Sequence, residues 1–461
     1  MVLDHNPFGF PCTGVTGTAR GALSSVNAVV GSLNGQRNYD QIGPAVNQGL
    51  LIGLVLGIPT MAIFYTSGKW LTMVHVDPLI AQEVAKYLQP ISYGILPTYF
   101  SVVDQNFLFS IQRKMSPILL NSLMVGASMA VGFPLAFYQK SLAALGYGAS
   151  AGAFITFVVG RLFLYFNKTD GVLDRNKYKL FIASLRSGTS FKDLLGLSLP
   201  AAMQALSEWL PTILIATLSS INTNGAQISD TLDAEQPSMQ MLLILNQILL
   251  GLGTAATVAV ANARGNALTK APESEDEQLS LQNVKTIGWG NIAVTGLLTI
   301  PPAFFLAAYP DPLVRLFTSN AKAFPLAKSM LRVTGASLVL DGVRNTTTGA
   351  LLGKKNRADN LFTSGTNLLI TALAATALGY FTQPSLGPIS FFVFRMIGIM
   401  LTTSLLLYRW KATGSDAPQR QVNANTFFAR TQAALPGPAT TLPSASLIER
   451  LPEDRRDNSM S

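Results

Sequence analysis

Cysteine and histidine are scarce in this sequence of 461 residues. Cys12 is the only cysteine, and His5 and His75 are the only histidines. A single cysteine excludes an intrachain disulfide and a cysteine metal cluster, and two histidines in predicted loops do not favour a histidine-based metal site or catalytic triad. The sequence also has no nucleophile, nucleotide-binding or metal-binding motif, so we do not expect an enzyme or a protein-bound cofactor.

Charge is scarce as well: 12% of the residues are charged, whereas 49% are hydrophobic. Soluble proteins carry about 25% charged residues, and a deficit of about twofold indicates a membrane protein. The formal net charge is +9. The basic residues lie between apolar stretches, where they set the orientation of membrane helices. We therefore expect the lipid bilayer, rather than nucleic acid, as the surroundings of this positive charge.

The apolar stretches are long enough to cross a bilayer, which takes about 20 helical residues. We predict spans at 16–33, 46–72, 88–111, 116–138, 147–166, 195–221, 238–261, 285–308, 328–352, 359–381 and 386–408. Basic residues concentrate in alternate connections, such as Lys354 and Lys355 after the ninth span, and this bias assigns those connections to the cytoplasm. The sequence predicts an all-α polytopic membrane protein of about 11 transmembrane helices.

These spans are predicted to form two pseudo-symmetric bundles of five and six helices. Residues 1–166 form an N-terminal lobe, 167–194 a basic cytoplasmic linker, 195–410 a six-helix C-terminal lobe, and 411–461 a polar, Pro-rich tail that we expect to be disordered and cytoplasmic. Similar patterns recur in the same order in both halves: Arg161 interrupts the fifth span as Arg395 interrupts the eleventh, and Gln112 aligns with Gly353. The halves would then be related by an axis along the membrane normal, with the first helix of the N-terminal lobe missing.

Two acids, Glu208 and Asp341, lie deep within apolar stretches. Measured from the predicted cytoplasmic ends of their spans, they lie at depths of about 20 Å and about 18 Å. Ionisable residues at such depths usually face a cavity and have a function, and two carboxylates in one cavity can hold a proton or a small cation. We therefore predict that Glu208 and Asp341 are the ion-coupling residues of one intramembrane site. Pro200 and Pro211 flank Glu208 and permit kinks in its helix.

Further polar residues in the spans are candidates for the lining of the same cavity. They are Asp104, Gln204, Asn246 and Arg344. Aligning the two halves places Phe100 opposite Asp341, and Asp104 then lies one turn nearer the cytoplasm on the same face. Arg344 follows Asp341 by three residues, so the two could instead form a local ion pair without a transport role. Interhelical hydrogen bonding explains Gln204 and Asn246 equally well. Apart from Arg344, the predicted cavity is acidic.

Two segments, LSLPAAMQALSEW at 197–209 and LDGVRNTTTGALLGKKN at 340–356, resemble motifs of the multidrug and toxic compound extrusion (MATE) transporters, nearer to the NorM-type bacterial members. In that family a Glu follows a Pro by eight residues on the seventh helix, as Glu208 does here. The tenth helix has an Asp followed by Gly at +8 and +12, which resembles Asp341 and its glycines. Ser337 stands where a NorM-type ligand would be Tyr, and we include it among the candidate cavity residues.

The resemblance implies two six-helix lobes around a central cavity and export of organic cations and drugs by alternating access, in exchange for protons or sodium ions. A sodium ion would be held by Glu208 and Asp341. The implied location is the bacterial inner membrane, and we expect a monomer.

Two alternatives remain open. The first is a lipid or lipid-linked oligosaccharide flippase of the same superfamily, although flippases usually present a basic cavity. The second is an inactive transporter that lacks its first helix. An intramembrane aspartyl protease is disfavoured, because such enzymes resemble GxGD whereas Asp341 lies in VLDG.

Overall fold

The computed structural model describes residues 9–73, 78–113, 115–166, 188–221, 225–272 and 274–414. Within these ranges the chain forms helices joined by short turns, and it contains no strand. The helices are α1 Gly9–Leu23, α2 Ser25–Gly35, α3 Ile42–Tyr65, α4 Ser67–Met73, α5 Pro78–Ser92, α6 Ile95–Ser110, α7 Met115–Gln139, α8 Leu142–Phe166, α9 Gly188–Ile221, α10 Gly225–Ala267, α11 Glu275–Ala308, α12 Pro310–Phe317, α13 Phe324–Gly353, α14 Arg357–Thr366, α15 Ala375–Leu386 and α16 Ile389–Thr413. A π-helical segment, Asn367–Ala374, joins α14 to α15.

The predicted spans fall on these helices, and the prediction of an all-α polytopic membrane protein is confirmed. Seven helical segments of the described chain are long and apolar enough to cross a membrane: Tyr39–Tyr65, Met115–Gln139, Leu142–Phe166, Asp233–Ala267, Glu275–Ala308, Arg357–Leu386 and Ile389–Thr413. The remaining four predicted spans lie on α1 with α2, on α5 with α6, on α9 and on α13. The span on α1 with α2 and the span on α5 with α6 are each divided into two shorter helices. Helix α13 is long but carries charged and amide side chains, which lower its hydropathy.

Hydroxyl groups stabilise the break between α1 and α2. The Ser24 side chain donates to the Gly21 carbonyl at 2.7 Å, and the Ser25 side chain donates to the Ala22 carbonyl at 2.8 Å. Such bonds from a serine to the preceding turn compete with the helical backbone pattern and often accompany a bend. Ser25 also shares a hydrogen bond of 2.9 Å with Ser198 on α9. The break therefore lies where the N-terminal helices contact α9.

Helices α2 and α10 cross at a contact that is symmetric in sequence. A Cβ atom added at Gly35 would overlap the carbonyl of Asn262, and one added at Gly265 would overlap the carbonyl of Ser32. The separation from Gly35 to Gly265 equals that from Ser32 to Asn262. Each half thus supplies a glycine against the same backbone position of the other half, which is the mutual contact expected at a two-fold axis. Small residues permit such close approach of membrane helices.

The apolar core forms one large cluster in α1–α8, extended by Leu194 and Leu197 of α9, and two smaller clusters among the C-terminal helices. This distribution agrees with two bundles, but the boundaries at 166, 195 and 410 remain predictions. Helix α9 begins at Gly188, so the last residues of the predicted linker are helical. Residues 167–187 of that linker and 415–461 of the predicted tail lie outside the described residues.

A buried ion network joins three helices in the C-terminal half. The Lys354 Nζ atom lies 2.6 Å from Asp359 Oδ2, and the Arg409 Nε atom lies 2.7 Å from Asp359 Oδ1. The Lys354 and Asp359 side chains are fully buried, whereas Arg409 is 34% exposed. Lys354 also donates to the carbonyl of Thr413 at 2.5 Å. The network fixes the ends of α13 and α16 to the start of α14.

Candidate functional site

Helices α9 and α13 bring the two predicted acids to one guanidinium group. The Arg344 Nε and Nη2 atoms lie 2.8 Å and 2.7 Å from Asp341 Oδ1, and Nη2 lies 3.9 Å from Glu208 Oε1. All three residues are buried: Arg344 is 2% exposed, Asp341 is 3% exposed and Glu208 is 8% exposed. The helical spacing of three residues places Arg344 beside Asp341, and the contact between helices adds Glu208. Charges at this burial interact more strongly than in water.

Two amide side chains extend this cluster. Asn367 Oδ1 accepts from Arg344 Nη1 at 2.6 Å, and Asn367 Nδ2 donates to Gln204 Oε1 at 2.7 Å. Gln204 Nε2 in turn donates to Glu208 Oε1 at 3.2 Å. Asn367 is the first residue of the π-helical segment, and π-helical turns frequently occur at functional sites. A chain of hydrogen bonds thus connects the guanidinium on α13 to the carboxylate on α9.

A second guanidinium, that of Arg395 on α16, changes the electrostatic character of the site. Its Nη2 atom lies 3.5 Å from Asp341 Oδ2. When all four groups are ionised, the two positive charges balance the charges of Glu208 and Asp341. The prediction of an acidic cavity with Arg344 as its exception is therefore wrong: the cluster is electrically balanced. Buried charges require such pairing because desolvation is costly.

The remaining predicted cavity residues occupy different places. Asn246 of α10 lies beside the Glu208 carboxylate. The Ser337 hydroxyl donates to the Thr334 carbonyl at 2.9 Å, a bond within its own helix. Asp104 belongs to a separate pair in the N-terminal half, where its Oδ2 atom lies 3.0 Å from Arg161 Nε.

The structure corrects the alignment of the halves that was used to place Asp104. Helix α6 ends at Ser110 and α13 at Gly353, and a residue with positive φ follows each end, Gln112 at 64° and Lys355 at 55°. Matching these ends shifts the alignment by two residues, so that Thr98, not Phe100, corresponds to Asp341. Asp104 then lies on a different face of α6 from Thr98, the counterpart of Asp341. Both halves nevertheless pair an Asp with the equivalent arginine, Asp104 with Arg161 and Asp341 with Arg395.

The oxygen atoms of the cluster do not fit a sodium ion. Hard cations are held by about six or more oxygen ligands. Asp341 Oδ1 and Asn367 Oδ1 already face Arg344, Gln204 Oε1 faces Asn367, and Asp341 Oδ2 faces Arg395. Glu208 Oε2 is buried and has no hydrogen-bond partner within the described chain. The described residues also contain no group of three or more His, Cys, Asp or Glu side chains that could hold a metal ion.

A small cavity of about 50 Å³ lies next to the cluster. Gln204 and Pro200 line it from α9, Ser24 from the break between α1 and α2, and Asn360 and Ser364 from α14. The Ser364 hydroxyl donates to the Pro200 carbonyl at 2.6 Å. Gln204 thus contacts both this cavity and the Glu208 carboxylate.

Comparison with known proteins identifies similar sequences and similar folds. The MatE family model matches residues 13–137. The probable multidrug resistance protein NorM of Synechococcus sp. is 23% identical over 412 residues, covering 86% of this chain and 83% of that protein. Multidrug resistance protein MdtK of Yersinia pseudotuberculosis is 22% identical over 401 residues, covering 84% and 82%. Over most of its length the chain is similar to MATE transporters.

Solved MATE structures share the fold of this chain. The eukaryotic MATE transporter AtDTX14 superimposes with a TM-score of 0.75 at 16% identity, covering 89% of each chain. An outward-facing multidrug resistance MATE transporter of the MOP superfamily also gives 0.75, at 15% identity, with 90% and 88% covered. The resemblance stated from residues 197–209 and 340–356 is thus confirmed at the level of family.

Sequence reasoning missed two members of the site in this protein. Asn367 is a neutral amide in a helix, and its only early signal is its place in the long apolar stretch of the tenth predicted span. Arg395 was noted as an interruption of the last span but was not included among the candidate site residues. Its approach to Asp341 depends on tertiary packing of α16 against α13, which spacing along one helix does not encode.

Proposed function

We propose that this protein is a secondary active transporter that exports organic cations and other drugs by cation-coupled antiport. Its relatives NorM and MdtK are named as multidrug resistance proteins, and its helices suit a polytopic membrane protein. The observation that carries the proposal is the approach of Glu208 and Asp341 to one guanidinium from two different helices. Such a contact joins the helices in one charge state and releases them in another.

The proposed coupling step is a change of charge in this cluster. A cation that binds a carboxylate alters which buried charges are balanced, so it alters the contact between α9 and α13. Pro200 and Pro211 lie on either side of Glu208 within α9 and permit the helix to bend. Coupling follows if the drug and the cation favour different arrangements of the helices, because a ligand shifts an equilibrium only through its differential affinity.

Efflux from bacterial cells or inverted vesicles tests this proposal with a fluorescent organic cation such as ethidium. Glu208→Gln and Asp341→Asn are expected to abolish ion-driven export, with the export rate of each variant divided by the amount of that variant in the membrane. Glu83→Gln and Asp311→Asn are matched controls, because these two acids are surface residues, with side chains 54% and 55% exposed. Unchanged export in both Glu208→Gln and Asp341→Asn would remove the proposed site.

A further inference from the structure

We infer that Arg344 is a tethered cation that takes the place of a metal ion between Glu208, Asp341 and Asn367, and that the ion exchanged at this site is a proton accepted by Glu208. The inference rests on the proposed function and selects between its two coupling ions. It follows from the contacts of each oxygen atom in the cluster and from the balance of charge.

The guanidinium already uses the oxygen atoms that a sodium ion would need. Its three nitrogen atoms contact Asp341 Oδ1 at 2.8 and 2.7 Å and Asn367 Oδ1 at 2.6 Å, and Nη2 reaches Glu208 Oε1 at 3.9 Å. A guanidinium always carries its charge and presents a rigid fork of N–H donors. Because it is attached to α13, it cannot leave the site when the transporter changes conformation. A mobile metal ion would have to displace it.

A proton, in contrast, needs only one acceptor, and the cluster offers one. Glu208 Oε2 is buried and lacks a hydrogen-bond partner within the described residues. A buried acceptor without a partner is costly, whereas a protonated carboxyl carries one O–H donor and no charge. Proton binding at Oε2 removes the attraction between Glu208 and Arg344 and leaves Arg344 paired with Asp341. It therefore removes the charge contact between α9 and α13.

The groups that face Glu208 from neighbouring helices support this switch. Arg344 and Asp341 face it from α13, and Arg395 from α16 acts on it at longer range. Its remaining neighbours, Gln204 and Asn246, are neutral. Helix α1 packs along α9 and carries another basic residue, Arg20, but Arg20 interacts electrostatically with Tyr99. Protonation of Glu208 thus changes chiefly its contact with Arg344. The proton enters from water on one side of the membrane and leaves to water on the other.

The test compares sodium binding by the purified full-length protein and two variants, and it does not depend on transport. Wild type and Arg344→Lys, which keeps a tethered cation, are expected to bind no radioactive sodium. Arg344→Gln frees the oxygen atoms and leaves one carboxylate unbalanced, so it is expected to gain saturable sodium binding. Its melting temperature should rise in sodium chloride compared with choline chloride at equal ionic strength, whereas that of wild type should not. The melting measurement reports on Arg344→Gln even when the variant is poorly stable.

Each other outcome overturns the inference. Saturable sodium binding by wild type that is lost in Glu208→Gln would show that a metal ion enters despite Arg344. Absence of sodium binding and of a sodium-dependent melting shift in Arg344→Gln would show that these oxygens do not form a cation site. Failure of the proposed function is distinguishable, because it appears as export that does not respond to Glu208→Gln, whatever the sodium measurements give.

Discussion

Removal of Arg344 is predicted to destabilise the protein unless Asp341 is neutralised at the same time. Arg344→Gln leaves Glu208 and Asp341 with only Arg395, which lies 3.5 Å from Asp341. Asp341→Asn leaves two guanidiniums with only Glu208. Breaking a buried ion pair by removing one partner costs about 3–5 kcal/mol, so each single variant should lose roughly that amount. The double variant keeps one charge of each sign, and we expect a coupling energy of about 2–3 kcal/mol.

The assay is a double-mutant cycle on the free energy of unfolding in detergent without sodium ions, followed by tryptophan fluorescence. Trp209 is 6% exposed and adjoins Glu208 in sequence, so it reports on this region. Glu83 and Lys86 provide the control cycle, because they have the same spacing of three residues at the surface, with side chains 54% and 46% exposed. Exposed pairs contribute below about 1 kcal/mol. Additivity of Arg344→Gln and Asp341→Asn within about 0.5 kcal/mol would refute the argument that these charges balance each other.

Three further predictions follow from the packing. Lys354→Met should cost about 3 kcal/mol of unfolding free energy, because it leaves the buried Asp359 carboxylate with one partner. Arg409→Met should cost about 1 kcal/mol, because Arg409 is 34% exposed. Equal losses in thermal or denaturant unfolding would contradict the assigned burial. Gly35→Ala should reduce stability and membrane yield, because its Cβ atom would overlap Asn262. Gly290→Ala should reduce neither, because nothing lies within 4 Å of the added atom. Equal yields of the two variants would argue against the close crossing of α2 and α10. Asp104→Asn should retain most of the ethidium export that Glu208→Gln abolishes, since Asp104 pairs with Arg161 outside the cluster; loss of export as complete as in Glu208→Gln would place Asp104 in the coupling step.

Much of the fold could be predicted from the sequence because the bilayer imposes a length and a polarity on each span. Most of the long apolar stretches form helices close to their expected bounds. Helix α9 begins well before the predicted start at 195, because its first turns include Lys192 and Asp193, which an apolar span excludes. The interruptions at Ser24 and at Tyr93–Gly94 were not predicted, because serine and glycine are common in membrane helices that continue without a break. The π-helical segment at Asn367 depends on packing and leaves no periodic signal.

The two acids of the site were predictable for the same physical reason. Glu208 and Asp341 are isolated ionisable residues in apolar surroundings, and equal depth suggested that they could meet. The local pair of Asp341 with Arg344 followed from helical spacing. The roles of Asn367 and Arg395 did not, because each reaches the site from another helix. Their contacts changed the expectation from an acidic cavity that could hold a metal ion to a balanced cluster with one free carboxylate oxygen.

The central claim is that Glu208 couples export to ion movement through its contact with Arg344. Purified protein in proteoliposomes, with a proton gradient imposed and no sodium present, tests it most directly. Wild type is predicted to transport ethidium in response to the proton gradient, and Glu208→Gln at equal protein content is predicted to give only the leak of empty vesicles. Gradient-driven ethidium transport by Glu208→Gln at the wild-type rate would contradict the account.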